Sequence, residues 1–376
     1  MTLTHRERVR AVLSGERPDR PIVDLGGFVN TFTRESYLEF KAHLGYGSDL
    51  AEETITMINT ISKLDDRVLE HFDIPFRRIC PGAASSFRYE YAADGSFRDE
   101  WGITLRPMGS YYAREGTPLK HATIDDLDDY PWPDPDDPAR YEGLADEARR
   151  LYEESDYSLV GASIWSGPFQ QCWYLRGMQR FLEDMLLKPE FATALLDRVI
   201  STQIRMYENF LDAVGEYLDV VETYDDLGAQ TGPLISPRLY REIVKPAHTR
   251  LFAAIHARTQ AKVFYHSCGA VMPFIDDMVE IGVDILNPIQ PLPGLMDPEE
   301  LKTRWGERLV FHGGLDVQQL LYQGTPGEVG AFVRRYLDVL GPERYIMSPT
   351  CPVLPGTPAE NVAAAFDAAA SYTREK

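Results

Sequence analysis

Two thiols and an imidazole are the residues of this 376-residue chain whose types best suit chemistry. His266 and Cys268 are separated by a single serine, and Cys351 follows much later in the chain. Each of the two segments comes where an apolar, strand-like run ends. One imidazole and two thiolates form the ligand set of an open catalytic zinc site, in which the fourth position stays free. Ordinary buried thiols are the structural alternative, but the chain has only four cysteines, and two at comparable strand ends favour the metal.

The element pattern around these residues predicts the fold. Strand-like runs alternate with helical patterns, and they span 158–164, 218–224, 262–265, 283–287, 309–312 and 345–347. Such alternation predicts a parallel sheet. Over this length it predicts an α/β fold of the (β/α)₈ TIM barrel type, because no glycine-rich dinucleotide or phosphate loop opens a helix. We expect residues 1–376 to form a single domain.

Polar side chains recur at or just past the carboxyl ends of these runs, which is where the active site of such a barrel lies. They are Ser163, Glu222, Asp225, His266, Cys268, Asn287, Gln290, His312, Asp316 and Cys351. We predict that Glu222 is catalytic, as a displaceable zinc ligand or as a base, with backbone hydrogen bonding as the alternative.

The remaining polar residues at these strand ends are predicted substrate contacts: Asp225, Asn287, Gln290, His312 and Asp316. Asn287 and Gln290 are expected either to contact substrate or to support the metal ligands through hydrogen bonds, and loop hydrogen bonding is the alternative. Of the acidic neighbours Asp225 and Asp226, one is expected to face the cavity and the other to cap the following helix.

Two other segments give local expectations. Thr4 and Glu7 form a capping-box pattern that starts a helix ending at Gly15. Residues 51–75 have a mainly helical pattern. Between about 77 and 120, alternation at 87–91, a turn at Asp94-Gly95 and a second run at 101–105 predict a β-hairpin inserted near the N-terminal third.

Composition excludes some classes of function. The formal net charge is -20, and no basic run offers the phosphate contacts that a nucleic-acid binder needs. No apolar stretch reaches the roughly 18 residues of a membrane span. The first ten residues are polar, without the apolar core of a secretory signal. We therefore expect a cytoplasmic protein in which cysteines serve chemistry more often than disulfides.

Four motifs, with two shorter phrases, resemble the uroporphyrinogen decarboxylase superfamily. The motifs are Glu222–Gln230, Phe264–Gly269, Gly282–Gln290 and His312–Asp316, and the phrases are Glu16–Pro21 and Tyr130–Asp134. The resemblance spans nearly the whole chain. It implies a barrel and, in many members, a homodimer.

The same resemblance distinguishes two branches of the superfamily. Decarboxylases carry an arginine-bearing segment that grips the carboxylates of porphyrinogen, whereas residues 22–28 here contain no cation. The His-x-Cys motif followed by a distant cysteine is similar to that of zinc-dependent, corrinoid-linked methyltransferases. This resemblance implies that His266, Cys268 and Cys351 bind Zn²⁺.

The methyltransferase branch implies transfer of a methyl group between a corrinoid, such as methylcobalamin, and a thiol or methylated small molecule. None of the eight histidines has Asp two positions before it, as the Asp-x-His-x-x-Gly cobalamin motif requires. A separate corrinoid protein is therefore the expected partner. A tetrapyrrole decarboxylase and a zinc-binding barrel without turnover are the alternatives.

The other cysteines and a group of aromatic residues have no assigned chemistry. Cys80 and Cys172 lack a metal-ligand partner in the local sequence, and we interpret both as structural. An aromatic group follows the strand at 158–164: Trp165, Phe169, Trp173 and Tyr174. Core or dimer-interface packing is the expected role of these rings, and a pocket for a methoxylated ring is the alternative.

Overall fold

A computed structural model describes residues 2–50, 54–55 and 59–373 of the chain. The strands are β1 Ile22–Val23, β2 Thr54–Ile55, β3 Ile61–Lys63, β4 Phe76–Ile79, β5 Phe97–Arg98, β6 Thr104–Met108, β7 Tyr111–Arg114, β8 Ser158–Gly161, β9 Val220–Tyr224, β10 Gly228–Ala229, β11 Gly232–Pro233, β12 Lys262–His266, β13 Ile285–Asn287, β14 Val310–Leu315 and β15 Tyr345–Pro349.

The α-helices are α1 His5–Ser14, α2 Arg34–His43, α3 Asp66–His71, α4 Leu144–Glu154, α5 Pro168–Arg176, α6 Met178–Leu187, α7 Pro189–Val214, α8 Pro237–Leu239, α9 Lys245–His256, α10 Ile275–Glu280, α11 Pro298–Trp305, α12 Leu320–Gln323, α13 Pro326–Leu340 and α14 Ala359–Ala370. A π-helical turn, Tyr240–Val244, joins α8 to α9. Within the described ranges, no helix is both long and apolar enough to cross a bilayer.

Eight strands form one parallel sheet in the order β1-β15-β14-β13-β12-β9-β8-β4. The order follows the chain around the sheet, and helices separate most successive strands, which confirms the predicted α/β barrel-like fold. β1 and β4 are the two edges of the sheet and share no ladder. The edges meet through side chains instead, because Arg78 on β4 pairs with Asp24, just past β1, at 2.7 Å.

The strand and helix predictions hold where hydrophobic periodicity is strong. The Thr4 side chain accepts a hydrogen bond from the Glu7 amide, and α1 ends at Gly15 with a φ of 79°. Each of the six predicted strand runs overlaps a barrel strand, and β9 and β15 are buried along their whole length. Burial on both faces is typical of parallel strands covered by helices.

The predicted insertion is present, but its strands differ from those expected. β5, β6 and β7 form a three-stranded antiparallel sheet between Phe97 and Arg114. The alternating residues 87–91 form no strand, so that part of the hairpin prediction was wrong. Their rings explain the pattern, because Tyr89 and Tyr91 pack against Phe97 on the sheet, with centroids 5.2 and 5.1 Å away. The alternation thus reflects ring packing rather than strand pairing.

The helical prediction for residues 51–75 was wrong over most of the residues that can be compared. Residues 51–53 and 56–58 lie outside the described residues. In the rest of the segment, β2 pairs with β3 in antiparallel fashion, and only α3 is helical. The Thr60-Ile61 pair favours the extended backbone, because β-branched side chains lose rotamer freedom in a helix.

Candidate metal centre

His266 and Cys268 occupy the carboxyl end of β12, near the middle of the barrel sheet. β12 lies between β9 and β13, and His266 is in register with Tyr224 and Asn287. The loop that follows is fixed by its neighbours. The Cys268 amide donates to Asp226 at 2.8 Å, and the Gly269 amide donates to Gln290 at 2.9 Å. These bonds hold the Cys268 thiol beside the imidazole.

Two of the three separations between the predicted ligand atoms are close to those of a tetrahedral zinc site. Cys268 Sγ lies 3.3 Å from His266 Nε2 and 3.7 Å from Cys351 Sγ. Zinc–ligand bond lengths give donor separations of about 3.5 Å for a nitrogen–sulfur pair and about 3.8 Å for a sulfur pair. Both separations that involve Cys268 are close to these values. The donor atoms of His266 and Cys351 are farther apart, because Cys351 is not in the group whose ligand atoms all lie within 4.8 Å of one another.

A carboxylate completes the cluster. In the described part of the chain, the potential ligand atoms of Asp226, His266 and Cys268 all lie within 4.8 Å of one another. Asp226 Oδ1 is 3.8 Å from His266 Nε2. Cys351, just past β15, is not part of that group and contacts it through Cys268. Rotation of Cys351 about its Cα–Cβ bond is the adjustment that a three-ligand site needs.

The tautomer of His266 follows from its hydrogen bonds. Its Nδ1 donates to the Asn287 side-chain oxygen at 2.5 Å, and the Asn287 amide nitrogen donates to His312 Nδ1 at 2.7 Å. His312 then donates from Nε2 to Asp24 at 3.0 Å. This assignment satisfies every group and leaves the lone pair of His266 on Nε2, toward the thiols.

Buried ion pairs extend this hydrogen-bonded chain beyond Asp24. Arg78 pairs with Asp24 at 2.7 Å and with Glu222 at 3.0 Å. Burial alone would raise the pKa of Asp24, but Arg78 and His312 outweigh it and hold that pKa below its ordinary value. Glu222 Oε2 is buried and has no hydrogen-bond partner among the described residues.

The surroundings of His266 and Cys268 favour their neutral forms. Burial lowers the pKa of His266, and the hydrogen bond with Cys351, followed by burial, raises the pKa of Cys268 well above its ordinary value. A bound cation reverses this preference, because it must displace the thiol proton to gain a thiolate ligand.

The structure separates the other predicted site residues into distinct roles. Asp225 is fully buried; it accepts from the Phe169 and Gln170 amides at 2.8 and 2.7 Å and pairs with His248. Its environment favours a helix cap over a substrate contact. Asp316 accepts from the Gln318 amide at 2.8 Å in the β14–α12 loop.

Glu222 lies deeper in the barrel than the metal cluster. It is in register with Phe264, two positions before His266 on β12. It is not part of the group formed by Asp226, His266 and Cys268. Asp226 is therefore the carboxylate beside the imidazole. The sequence left open whether Asp225 or Asp226 faces the cavity.

A cavity of about 380 Å³ adjoins the metal cluster. Tyr224 forms the wall between them, because its ring stacks on Phe28 at 5.4 Å and meets the His266 ring edge-on at 5.9 Å. Ser163, a predicted strand-end residue, also lines the cavity. Sequence reasoning missed Arg78 and Arg114, which line it as well, since neither belongs to a motif.

The chain was compared with known proteins. A family model described as uroporphyrinogen decarboxylase (URO-D) matches residues 109–372. A methylated-thiol–coenzyme M methyltransferase of Methanosarcina mazei is 27% identical over 59% of this chain and 55% of that protein. A methylcobamide:CoM methyltransferase, MtbA, of Methanosarcina acetivorans is 24% identical over 61% of this chain and 64% of that protein. The chain thus matches less than two thirds of the length of these curated relatives.

A solved structure matches almost the whole chain. A methyltransferase from Methanosarcina mazei superposes with a TM-score of 0.67 at 20% identity, covering 98% of each chain. At this level of identity the likeness shows the shared barrel fold.

Proposed function

The chain belongs to the uroporphyrinogen decarboxylase (URO-D) family, and we propose that it is a zinc-dependent methyltransferase of that family. It moves a methyl group between a corrinoid, carried by a separate protein, and a thiol or methylated small molecule. The observation that carries the proposal is the convergence of His266, Cys268 and Cys351 at the carboxyl ends of β12 and β15. The relatives named as methyltransferases support the same assignment.

The three ligand residues explain why zinc suits this site. When bound, zinc supplies the positive charge that lowers the pKa of an incoming thiol and holds its sulfur as a nucleophile. Two thiolates from Cys268 and Cys351 balance that charge, which keeps the substrate sulfur electron-rich. Asn287 holds the imidazole of His266 in the ligating tautomer.

The acidic residues supply a place for the proton that a thiol loses. Asp226 lies 3.8 Å from the ligating nitrogen of His266 and is half-buried. We assign proton acceptance to Asp226. Glu222 Oε2 is buried without a hydrogen-bond partner among the described residues, and it serves as a second acceptor, one layer below the metal ligands.

The partner proposal rests on the position of the site at the barrel mouth. The loops after β12 and β15 carry the thiols, so a corrinoid presented by another protein approaches them from the loop side. One curated relative is named for a methylcobamide substrate. Homodimer formation and a cytoplasmic location stay predictions.

The decarboxylase alternative needs many cations at the mouth. The cavity is lined by Arg78, Arg114 and Arg140. However, Arg78 pairs with Asp24 and Glu222, and Arg140 pairs with Glu100. Among the described residues, Arg114 is the one arginine of this cavity without an ion pair, and a single free cation cannot balance an octacarboxylate porphyrinogen, which favours methyl transfer.

The proposal is tested with zinc-loaded protein, methylcobalamin and a panel of thiols, including 2-mercaptoethanesulfonate and homocysteine. We expect loss of the methyl–cobalt absorbance and formation of a thioether with the wild type and with Cys172→Ala. We expect neither with Cys268→Ala. Cys172 is a buried thiol outside the metal cluster, so it controls for the loss of a cysteine. Equal rates in all three proteins would overturn the proposal, as would a zinc-loaded wild type without turnover, which would favour the silent barrel.

A further inference from the structure

Asp226 is close enough to the predicted metal ligands to be a ligand itself. Its Oδ1 lies 3.8 Å from Nε2 of His266, and it belongs with His266 and Cys268 to the group whose ligand atoms lie within 4.8 Å of one another. A nitrogen and an oxygen bound to one tetrahedral zinc ion are separated by about 3.4 Å. A small shift of the carboxylate would therefore make Asp226 the fourth ligand, in the position that a substrate sulfur needs.

Two hydrogen bonds hold this carboxylate in its present position. The Cys268 amide donates to Oδ1 of Asp226 at 2.8 Å, and the side-chain amide of Gln170 donates to Oδ2 at 3.0 Å. Each carboxylate oxygen is thus held by its own donor. Hydrogen bonds to an ionised carboxylate are stronger than bonds between neutral groups. Together the two bonds fix both the place and the tilt of the carboxylate beside the metal ligands.

The packing of α5 against the end of β9 brings Gln170 to this carboxylate. Gly167 directly precedes α5, and a Cβ at this position would clash with the Tyr224 carbonyl oxygen and the Asp225 side chain. The absence of a side chain at Gly167 therefore permits the close approach. Asp225 accepts the Gln170 backbone amide at 2.7 Å, and the Gln170 side chain reaches the next residue, Asp226.

The bond from Gln170 is not explained by stability alone. Its side chain is buried, and its Oε1 has no hydrogen-bond partner among the described residues. An ionised carboxylate only accepts hydrogen bonds, so the amide nitrogen of Gln170 faces Asp226 and the oxygen points away from it. A buried oxygen without a partner costs about as much as one such bond contributes. The bond therefore has little net effect on folding, and what it changes is the position of the carboxylate.

We propose that Gln170 is a positioning residue that keeps Asp226 out of the zinc coordination shell and so keeps the fourth position open for the substrate. The inference rests on the proposed function, because a zinc-bound thiol requires an open position. An unbound Asp226 also stays available as the acceptor of the thiol proton. Without Gln170, one oxygen of Asp226 is released toward the metal site, where it strengthens metal binding and competes with the incoming thiol.

Three variants test this role. Gln170→Met removes the amide and keeps the approximate length of the side chain. Gln171→Met is the matched control, because Gln171 is the next residue of α5, is 1% exposed and also has a buried side-chain atom without a partner in the described part of the chain. The double variant Gln170→Met/Asp226→Asn removes the competing carboxylate as well. All proteins are compared with the wild type in the absence of corrinoid, so the readouts do not depend on turnover.

Two readouts separate positioning from general damage to the fold. Zinc affinity is measured by competition with a chromophoric chelator, and thiol binding by the thiolate-to-cobalt absorbance of the Co²⁺-loaded protein as 2-mercaptoethanol is added. We expect Gln170→Met to bind zinc about tenfold more tightly than the wild type and to need about tenfold more thiol for half-saturation. The double variant should return both values toward those of the wild type, and Gln171→Met should change neither. A disturbed fold would lower zinc affinity instead.

Unchanged or weaker zinc binding in Gln170→Met, a thiol titration like that of the wild type, or a double variant that still resembles Gln170→Met would overturn this inference. Each of these results would leave the methyltransferase proposal intact. A Gln170→Met protein that fails to fold while Gln171→Met folds would also overturn it, because that result shows a structural role.

The expected metal and thiol shifts, together with a wild type that transfers no methyl group, would support the positioning role and reject the methyltransferase proposal. A wild type that binds neither Zn²⁺ nor Co²⁺ would reject both.

Discussion

The side-chain oxygen of Asn287 accepts a hydrogen bond from Nδ1 of His266 at 2.5 Å. The bond leaves Nε2 of the imidazole with the lone pair that a metal requires. Asn287 is held in this orientation because its amide nitrogen donates to His312, which in turn donates to Asp24. This geometry favours support of the metal ligand His266 over substrate contact, the two functional roles expected for Asn287 from the sequence.

Asn287→Ala tests that role. Removing the amide frees the His266 ring to turn and to change tautomer, so we expect zinc affinity to fall by about 10- to 100-fold. Competition with a chromophoric chelator measures the change. Asn361→Ala is the control, because it removes another buried amide that bonds to the Leu321 carbonyl at 3.0 Å. The control should lose stability and keep its zinc affinity, and equal losses of affinity in both variants would contradict the orienting role.

Gly269→Ala tests the loop that carries Cys268. Gly269 has a φ of 81°, and an added Cβ would approach the backbone of Ala229 at 2.6 Å. Gly45 has a similar φ of 79° with open space around it. We expect Gly45→Ala to cost about 1 kcal/mol from backbone strain alone, and Gly269→Ala to cost at least about 2 kcal/mol more. Urea unfolding compares the two, and equal costs would show that the close packing of the loop is unimportant.

Asp225→Ala distinguishes a helix cap from a substrate contact. The carboxylate satisfies two amides at the start of α5 and an imidazole, all buried. We expect a loss of about 3 kcal/mol or more in the free energy of unfolding. Asp316→Ala removes a less buried carboxylate that accepts two amides in the β14–α12 loop and should cost about 1 kcal/mol. If the Asp225→Ala protein is stable and has a raised KM, the result would favour a substrate contact over a helix cap for Asp225.

Asp99 makes stability depend on pH. Burial raises the pKa of Asp99 to about 6, from an ordinary value of 3.8. The folded state therefore holds a proton that the unfolded state has lost, so the wild type loses stability relative to Asp99→Asn as pH rises from about 4 to about 6. The loss reaches at most about 3 kcal/mol and then stays constant.

Unfolding titrations from about pH 2 to about pH 7 measure the difference. Asp94→Asn provides the opposite sign, because the hydrogen bond from Ser96 lowers the pKa of Asp94. Its contribution to wild-type stability is lost as pH falls below about 4. If the difference in unfolding free energy between wild type and Asp99→Asn does not change with pH, the raised pKa of the buried Asp99 carboxyl is contradicted.

The sequence predicts what depends on local periodicity. Buried parallel strands are continuous apolar runs, so their carboxyl ends, with His266, Cys268 and Asn287, are visible without a structure. The helix start at Thr4 is visible for the same reason, since its capping signals lie within four residues. These predictions use information that is close together in the chain.

Contacts around the barrel circumference are not visible in this way. Arg78 and Asp24 join the two edges of the sheet, although 54 positions separate them. Residues 22–28 contain no cation, and nothing in them indicates that Arg78 on β4 supplies one. The sequence could not tell the roles of Asp225 and Asp226 apart for a similar reason. A shift of one residue at a strand end reverses which side chain faces the cavity.

The most direct test of the metal centre is zinc content in the wild type, Cys268→Ala, Cys351→Ala and Cys172→Ala. We predict about one zinc per chain in the wild type and in Cys172→Ala, and loss of zinc in both of the other variants. Cobalt substitution adds a second readout, since thiolate-to-cobalt absorbance should weaken when either ligand thiol is removed. A wild type without zinc, or zinc retained in both Cys268→Ala and Cys351→Ala, would contradict the account.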